Sequence, residues 1–336
     1  MYGSIRIQVA DTSQTADARR VARKMAEGIG FDTNQAERVA IVVTEVCTNL
    51  LKHAGGGEVL LSATAGDDGA NNLSVLGLDR GSGMDMNLCL RDGYSTGGSP
   101  GGGLGAIIRQ SDISDFYSVS AKGTAVLASW KTRNNGISQA SPGRLRIGAV
   151  NVNKPGQEIC GDSWGVEHAP GQTTIMVADG LGHGPDAHAA SSEAVRTLHR
   201  HPELPPRVMI ERVHQALRST RGAAVAVARV DHEDGKVTYC GAGNIAGQLY
   251  RGSSAVQHMV SVNGTPGHQM DRLHEFTYPW PERGILIMHS DGLASSANID
   301  SHAGLSLRDP EIIAAVLYRD FKRGYDDATV VVAKAE

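Results

Sequence analysis

The sequence predicts two α+β domains, one with helices on one face of a sheet and one with paired sheets flanked by helices. Three observations predict this. A polar stretch rich in Asn, Ser and Gly separates the strand-like runs AVLASW and LRIGAVNV, which sets domains at 1–133 and 145–336 with a linker at 134–144. Ahead of the linker, two helical patterns precede several strand patterns. Beyond it, two helical patterns stand between two groups of strands. A chain of 336 residues is comfortable for two such domains.

In the first half, SIRIQVA alternates as a strand, and a helical pattern runs from about Thr15 to Gly28. A second helix is predicted from Asn34 to His53, with an apolar stripe through Ala36, Val39, Ile41, Val42, Val46, Leu50 and Leu51. GEVLLSATA and NNLSVLGLD read as strands, and FYSVSAKGTAVLASW as a hairpin around Lys122-Gly123. The order lacks the βα alternation of a Rossmann domain. The second half opens with strands in LRIGAVNV, CGDSWGVEH and TTIMVAD. Helices follow at about Pro185 to His199 and Pro206 to Ser219. Strands return at AAVAVARVD, KVTYCGAG, GQLYRG and GILIMHSD. A helix from about Asp309 to Phe321 precedes the closing strand ATVVVAKA.

Composition limits the function. The net charge of −4 supplies no bulk field for nucleic acid, and an aromatic content of 4% supplies few stacking platforms. The 4 cysteines form no C-x-x-C pair and read as buried apolar residues in a reducing compartment. Residues 1–20 lack a basic segment followed by an apolar run, and no apolar run is long enough to span a bilayer, so a cytoplasmic location is expected.

Two constellations carry chemistry. Glu45 and Asn49 lie four residues apart, hence on one helix face, within an otherwise apolar stretch. An amide oxygen there suits Mg²⁺, and a carboxylate suits proton acceptance; a polar edge on a half-buried helix is the other reading. LDRGSGM places Asp79 at a strand end before Gly81 and Gly83. It suits either recognition of an exocyclic amine or an ordinary turn. STGGSPGGGLGA, containing Gly101, Gly103, Leu104 and Gly105, opens a helix whose N–H groups suit a phosphate; its alternative is a flexible loop. In the second half, Asp162, Asp179, Asp291 and Asp326 with Asp327 all fall at strand ends. Carboxylates gathered there repel unless divalent cations neutralise them, and oxygen-only ligation selects Mg²⁺ or Mn²⁺ over zinc. Asn244 in GAGNIAGQLYR reads as a hairpin turn or as support for this site.

An N-x-x-x-H-A helix, then D-x-G-x-G, then a glycine loop opening a helix resembles the GHKL (Bergerat) α/β sandwich of histidine kinases, gyrase and anti-sigma-factor kinases. TEVCTNLLKHAGGGEV and DGYSTGGSPGGGLGAI look closest to the RsbT-like serine kinases of partner-switching pathways. The resemblance implies that Asn49 binds Mg²⁺, Asp79 binds the adenine amine, and Gly81, Gly83, Gly101, Gly103, Leu104 and Gly105 hold ATP. It also implies that Glu45 polarises the substrate hydroxyl, with His53 structural. The ordered set GD, DGxGxG, SDG, DDATV resembles the SpoIIE-type branch of the metal-dependent protein phosphatase 2C superfamily, an α-β-β-α sandwich, and within it the RsbX-type phosphoserine phosphatases. By that resemblance two Mn²⁺ or Mg²⁺ ions would be held by Asp162, Asp179, the Gly180 carbonyl, Asp291 and Asp326, with Asp179 bridging and catalytic. His183, which follows that version of the motif, would contact phosphate or act as an acid near neutral pH, with packing of the loop the preferred role.

The combined expectation is a bifunctional kinase and phosphatase acting on a STAS-domain anti-sigma-factor antagonist or stressosome-like protein, without nucleic-acid or membrane partners. The alternative is a phosphatase whose first domain is only a nucleotide sensor or partner-binding module. A gyrase-like DNA-associated ATPase is disfavoured by the absence of a basic patch.

Overall fold

A computed structural model describes residues 3–66, 69–84, 103–132, 145–252 and 256–335. The chain divides into two compact units, Met1–Ser138 and Gln139–Glu336. The expected linker at 134–144 lies outside the described residues.

The first unit runs β1 (Ile5–Val9), α1 (Thr12–Gly28), α2 (Thr33–Ala54), β2 (Gly57–Ala65), β3 (Asn71–Leu78), α3 (Gly103–Gln110), β4 (Ile113–Val119) and β5 (Gly123–Lys131). Both long helices start at capping boxes, Asp11 with Gln14 and Asp32 with Gln35, which satisfy first-turn N–H groups. The α2 helix stops at Gly55 in the left-handed conformation, φ 69°. Among the described residues the strands form one antiparallel sheet in the order β1-β2-β3-β5-β4. Val39, Val42, Val43, Val46 and Leu50 of α2 pack with Val59, Leu61, Val75, Ala128 and Trp130 of the sheet, and Leu104 and Ile107 of α3 join that core. Ile41, expected in the same stripe, points away from it and is 46% exposed, because it lies on the opposite face of the helix from Val39 and Val46. Gly77 makes this approach possible, because a Cβ there would stand 2.4 Å from Val46 Cγ1.

The second unit runs β6 (Arg146–Val152), β7 (Asp162–Ala169), β8 (Gln172–Gly180), α4 (Pro185–Arg200), α5 (Pro206–Ala216), β9 (Ala223–Asp231), β10 (Lys236–Ala242), β11 (Ala246–Tyr250), β12 (Gln257–Met259), β13 (Phe276–Pro279), β14 (Ile285–His289), α6 (Pro310–Phe321) and β15 (Ala328–Lys334). The described strands form two sheets, β13-β10-β9-β8-β7 and β12-β11-β14-β15-β6. Alternation along β8 explains the layering. Ile175 and Val177 enter the core between the sheets with Tyr239, Leu286, Met288 and Val331. Met176 and Ala178 face Leu198 of α4 and Met209, Ile210 and Val213 of α5. On the outside of the other sheet, α6 packs against β6 and β15. The result is the expected α-β-β-α sandwich.

The short strands β12 and β13 were not expected. At three and four residues they are too brief to show a period, and β13 ends in Pro. Cys47, Cys160 and Cys240 are free and buried, as expected; Cys89 lies outside the described residues. Among the described residues, no helix is long and apolar enough to cross a membrane.

Candidate functional sites

The second unit gathers its acids by strand register. Asp162 opens β7 and Asp179 nears the end of β8, and the antiparallel pairing sets the two directly opposite. Asp291 follows the end of β14, and Asp326 and Asp327 immediately precede β15, which pairs with β14. A buried polar bridge joins the sheets here. Ser290 Oγ donates to Asp162 Oδ2 at 2.6 Å, the Thr329 N–H donates to Ser290 Oγ at 3.0 Å, and Asn151 Nδ2 donates to Thr329 Oγ1 at 2.7 Å. The Ser290 hydroxyl, itself held by the Thr329 N–H, fixes the direction of the Asp162 carboxylate, which is only 3% exposed.

The electrostatics are those of a crowded acid cluster. Burial raises the Asp162 carboxyl well above the ordinary carboxylate range, against the hydrogen bonds from Ser290 and Thr329. Asp179 is raised by burial and then by the charges of Asp162 and Asp291. Burial and the charge of Asp326 raise Asp291. Asp327 accepts from the Lys154 N–H at 2.7 Å through Oδ1, while its buried Oδ2 has no hydrogen-bond partner among the described residues. A carboxylate oxygen left this way is costly unless something positive completes it.

Among the described residues, no three His, Cys, Asp or Glu side chains form a ready-made ligand group. Mg²⁺ does not require one, because it keeps several waters and takes one or two carboxylates. The acids therefore fit hydrated divalent cations better than a closed all-protein cage.

Asn244 was read from the sequence chiefly as a turn residue. Its Nδ2 instead donates to Asp291 Oδ2 at 2.7 Å, which orients an acid of the cluster. His183 is exposed, so it does not pack the loop. Ser290, Thr329 and Asn151 were missed. The available signal was a polar residue inside or beside an apolar strand, as in AVNV and DATVVV.

Gly180 ends β8 under the first turn of α4, where a Cβ would stand 2.0 Å from the Ala187 carbonyl oxygen. The Gly180→Ala substitution is expected to push this turn away and destabilise the second unit by about 2–3 kcal/mol. Chemical denaturation followed by circular dichroism checks this, and an unchanged midpoint would contradict the packing described.

In the first unit, Glu45 and Asn49 are both half-buried on α2. Burial raises the Glu45 carboxyl, opposed by the charges of Lys52 and His53. That direction suits a proton acceptor. Asp79 Oδ1 accepts from the Gly81 N–H at 2.8 Å and the Thr124 N–H at 3.1 Å, so its carboxylate is held in place by backbone. Gly81 docks this loop on the end of α2: a Cβ there would stand 2.8 Å from Ala54 Cβ. Gly83, with φ +73°, lies so close to the Val119 carbonyl that a Cβ would meet it at 2.4 Å. Leu104 and Ile107 hold α3 in the core shared with α2. Gly103 begins α3 with φ +23° and open space at its Cβ position, and Gly105 follows two residues on, beside the Arg109 guanidinium. Gly101 lies outside the described residues. His53 is exposed in the last turn of α2, where a basic side chain complements the helix dipole; it does not fill the core.

Comparison with known proteins follows this division. Residues 169–336 match the family Stage II sporulation protein E (SpoIIE), and residues 9–130 match the histidine kinase-like ATPase domain. The phosphoserine phosphatase RsbX of Bacillus subtilis is 28% identical over 151 residues, 45% of this chain and 75% of the relative. The serine/threonine-protein kinase RsbT of the same organism is 32% identical over 112 residues, 33% of this chain and 84% of the relative. A crystal structure of RsbX in complex with magnesium superposes with a TM-score of 0.53 at 25% identity, covering 59% of this chain and 98% of that one.

Proposed function

The chain belongs to the stage II sporulation protein E family, with a histidine kinase-like ATPase domain in the same polypeptide, and from that membership we propose a bifunctional partner-switching regulator. Its first unit phosphorylates a serine or threonine of a STAS-domain antagonist protein with ATP. Its second unit removes phosphate from the same or a successive partner. The observation that carries the phosphatase reading is the register pairing of Asp162 with Asp179, joined from the other sheet by Asp291 and Asp326.

In this reading Asp162, Asp179, Asp291, Asp326 and the Gly180 carbonyl hold Mn²⁺ or Mg²⁺. Such cations, when bound, activate water and steady a phosphoryl group. The chain's own contribution is orientation. Ser290 fixes Asp162, Asn244 fixes Asp291, and the Lys154 N–H fixes Asp327 beside them. In the first unit Asn49 offers its amide oxygen to Mg²⁺, and Asp79 accepts from the adenine amine. Gly81, Gly83, Gly101, Gly103, Leu104 and Gly105 shape the phosphate-holding loops, and Glu45 accepts the substrate hydroxyl proton. RsbX is named as a phosphoserine phosphatase and RsbT as a serine/threonine kinase, which supports opposed activities on one chain.

The test has two arms. Phosphate release from a phosphoserine peptide is expected to depend on added Mn²⁺, and label from ATP is expected to pass to a STAS-domain protein. Release that is insensitive to chelation would overturn the phosphatase assignment. ATP binding without label transfer would reduce the first unit to a nucleotide sensor.

A further inference from the structure

A phosphomonoester dianion approaching this cluster meets several carboxylates, and its orientation calls for a cation that is not already committed to them. Lys154, Arg221 and Arg323 lie on segments that reach this end of the sandwich. Lys154 meets the cluster through its backbone N–H, bonded to Asp327. Arg221 lies beside Gly182 but is already paired: its Nη2 stands 2.7 Å from Asp186 Oδ2 in the first turn of α4.

Arg323 is placed differently. Its backbone N–H donates at 2.8 Å to the carbonyl of Gly292, the residue after Asp291. The Ala294 N–H donates to the Phe321 carbonyl at 2.9 Å, and these two hydrogen bonds make the Leu293–Lys322 bridge that holds this segment beside Asp291. A Cβ on Gly292 would stand 1.8 Å from the Asp327 carbonyl oxygen, so the two segments already touch. The Arg323 side chain is exposed, and among the described residues it makes no hydrogen bond or ion pair.

We propose that Arg323 binds the phosphate of the phosphomonoester substrate and orients it against the acid cluster. This inference rests on the phosphatase reading above. A guanidinium presents paired N–H groups that match two phosphate oxygens, which an ammonium cannot reproduce. Arg323 thus determines specificity for a phosphoryl dianion without contributing a ligand to the cations.

The test uses the full chain with Mn²⁺, p-nitrophenyl phosphate as substrate and inorganic phosphate as ligand. The variants are Arg323→Gln, Arg323→Lys and Arg221→Gln. Arg323→Gln is expected to raise KM and the inhibition constant of inorganic phosphate together, each about tenfold, with kcat changed much less. Arg323→Lys should recover part of the loss, and Arg221→Gln should change neither constant. Calorimetric Mn²⁺ affinity of Arg323→Gln should equal or exceed that of the parent chain, because a like charge has left the side of Asp291.

An unchanged phosphate constant in Arg323→Gln would overturn the proposal. So would a loss that tracks weakened Mn²⁺ binding, or one found in Arg221→Gln instead. A parent chain with no turnover counts against the phosphatase reading itself. Calorimetric titration of inorganic phosphate then still decides on Arg323: weaker binding in Arg323→Gln supports it, and equal binding refutes it.

Discussion

Asp179→Asn is expected to lower phosphate release by roughly 10³-fold or more, about 4 kcal/mol of transition-state stabilisation. The reason is its position. Asp179 faces Asp162 across the β7–β8 ladder and also feels Asp291 and Asp326 from the other sheet. Its carboxylate therefore meets acids carried by both sheets. Thermal stability should move in the opposite direction when no divalent cation is added. Burial and neighbouring charges raise the Asp179 carboxyl in the folded state. A raised carboxyl penalises folding as pH climbs above the ordinary carboxylate range, so the cation-free protein should lose stability from there towards neutral pH. Removing the charge relieves that penalty, and Asp179→Asn should melt higher than the parent chain without Mn²⁺. With Mn²⁺ the order should reverse, because the parent gains binding free energy and the variant does not. Melting curves with and without Mn²⁺ check both statements.

Asn49→Ala is expected to remove label transfer from ATP by about 10²-fold or more while phosphate release stays within a factor of about two. Asn49 lies one turn after Glu45 on the half-buried stripe of α2, above a core that the substitution does not enter. Loss of transfer without loss of fold therefore isolates the amide. Glu45→Gln sharpens the distinction. A general base removed from an intact nucleotide site should leave ATP affinity in place and slow transfer by about 10²-fold or more. Equal transfer rates in Glu45→Gln and the parent would assign Glu45 to the polar edge of the helix and leave the first unit as a binding module.

Much of the fold was legible because its elements carry local signals. The β2 run GEVLLSATA matches the observed strand at both ends, and α2 begins at an Asp-x-x-Gln box and stops at a left-handed glycine. The two-sheet layering was legible from two helical patterns standing between two groups of strands, and TTIMVA is accordingly buried on both faces. The order of strands within each sheet was not, since β11 and β15 both flank β14 through pairings remote in sequence.

The acid cluster was legible as an ordered set of motifs, but its internal contacts were not. Nothing local in CGDSW or VADG states that Asp162 and Asp179 are register partners; the turn between β7 and β8 decides it. The Asn244–Asp291 bond spans 47 residues, and the Ser290–Asp162 bond spans 128. Arg323 was invisible for the same reason. Spacing from Asp326 is unremarkable, and its proximity to Asp291 follows from the Gly292 contact. Long-range hydrogen bonds set the orientation of functional groups, and a single sequence does not encode them in any local pattern.

The most direct test of two separate and opposed sites on one chain is the phosphorylation level of a STAS-domain partner incubated with labelled ATP, Mg²⁺ and Mn²⁺. The parent chain should give a low steady level. Asp179→Asn should let label accumulate, and Asn49→Ala should transfer none yet strip phosphate from a partner phosphorylated beforehand. Loss of both activities in either variant, with the circular dichroism spectrum of the parent retained, would contradict the account.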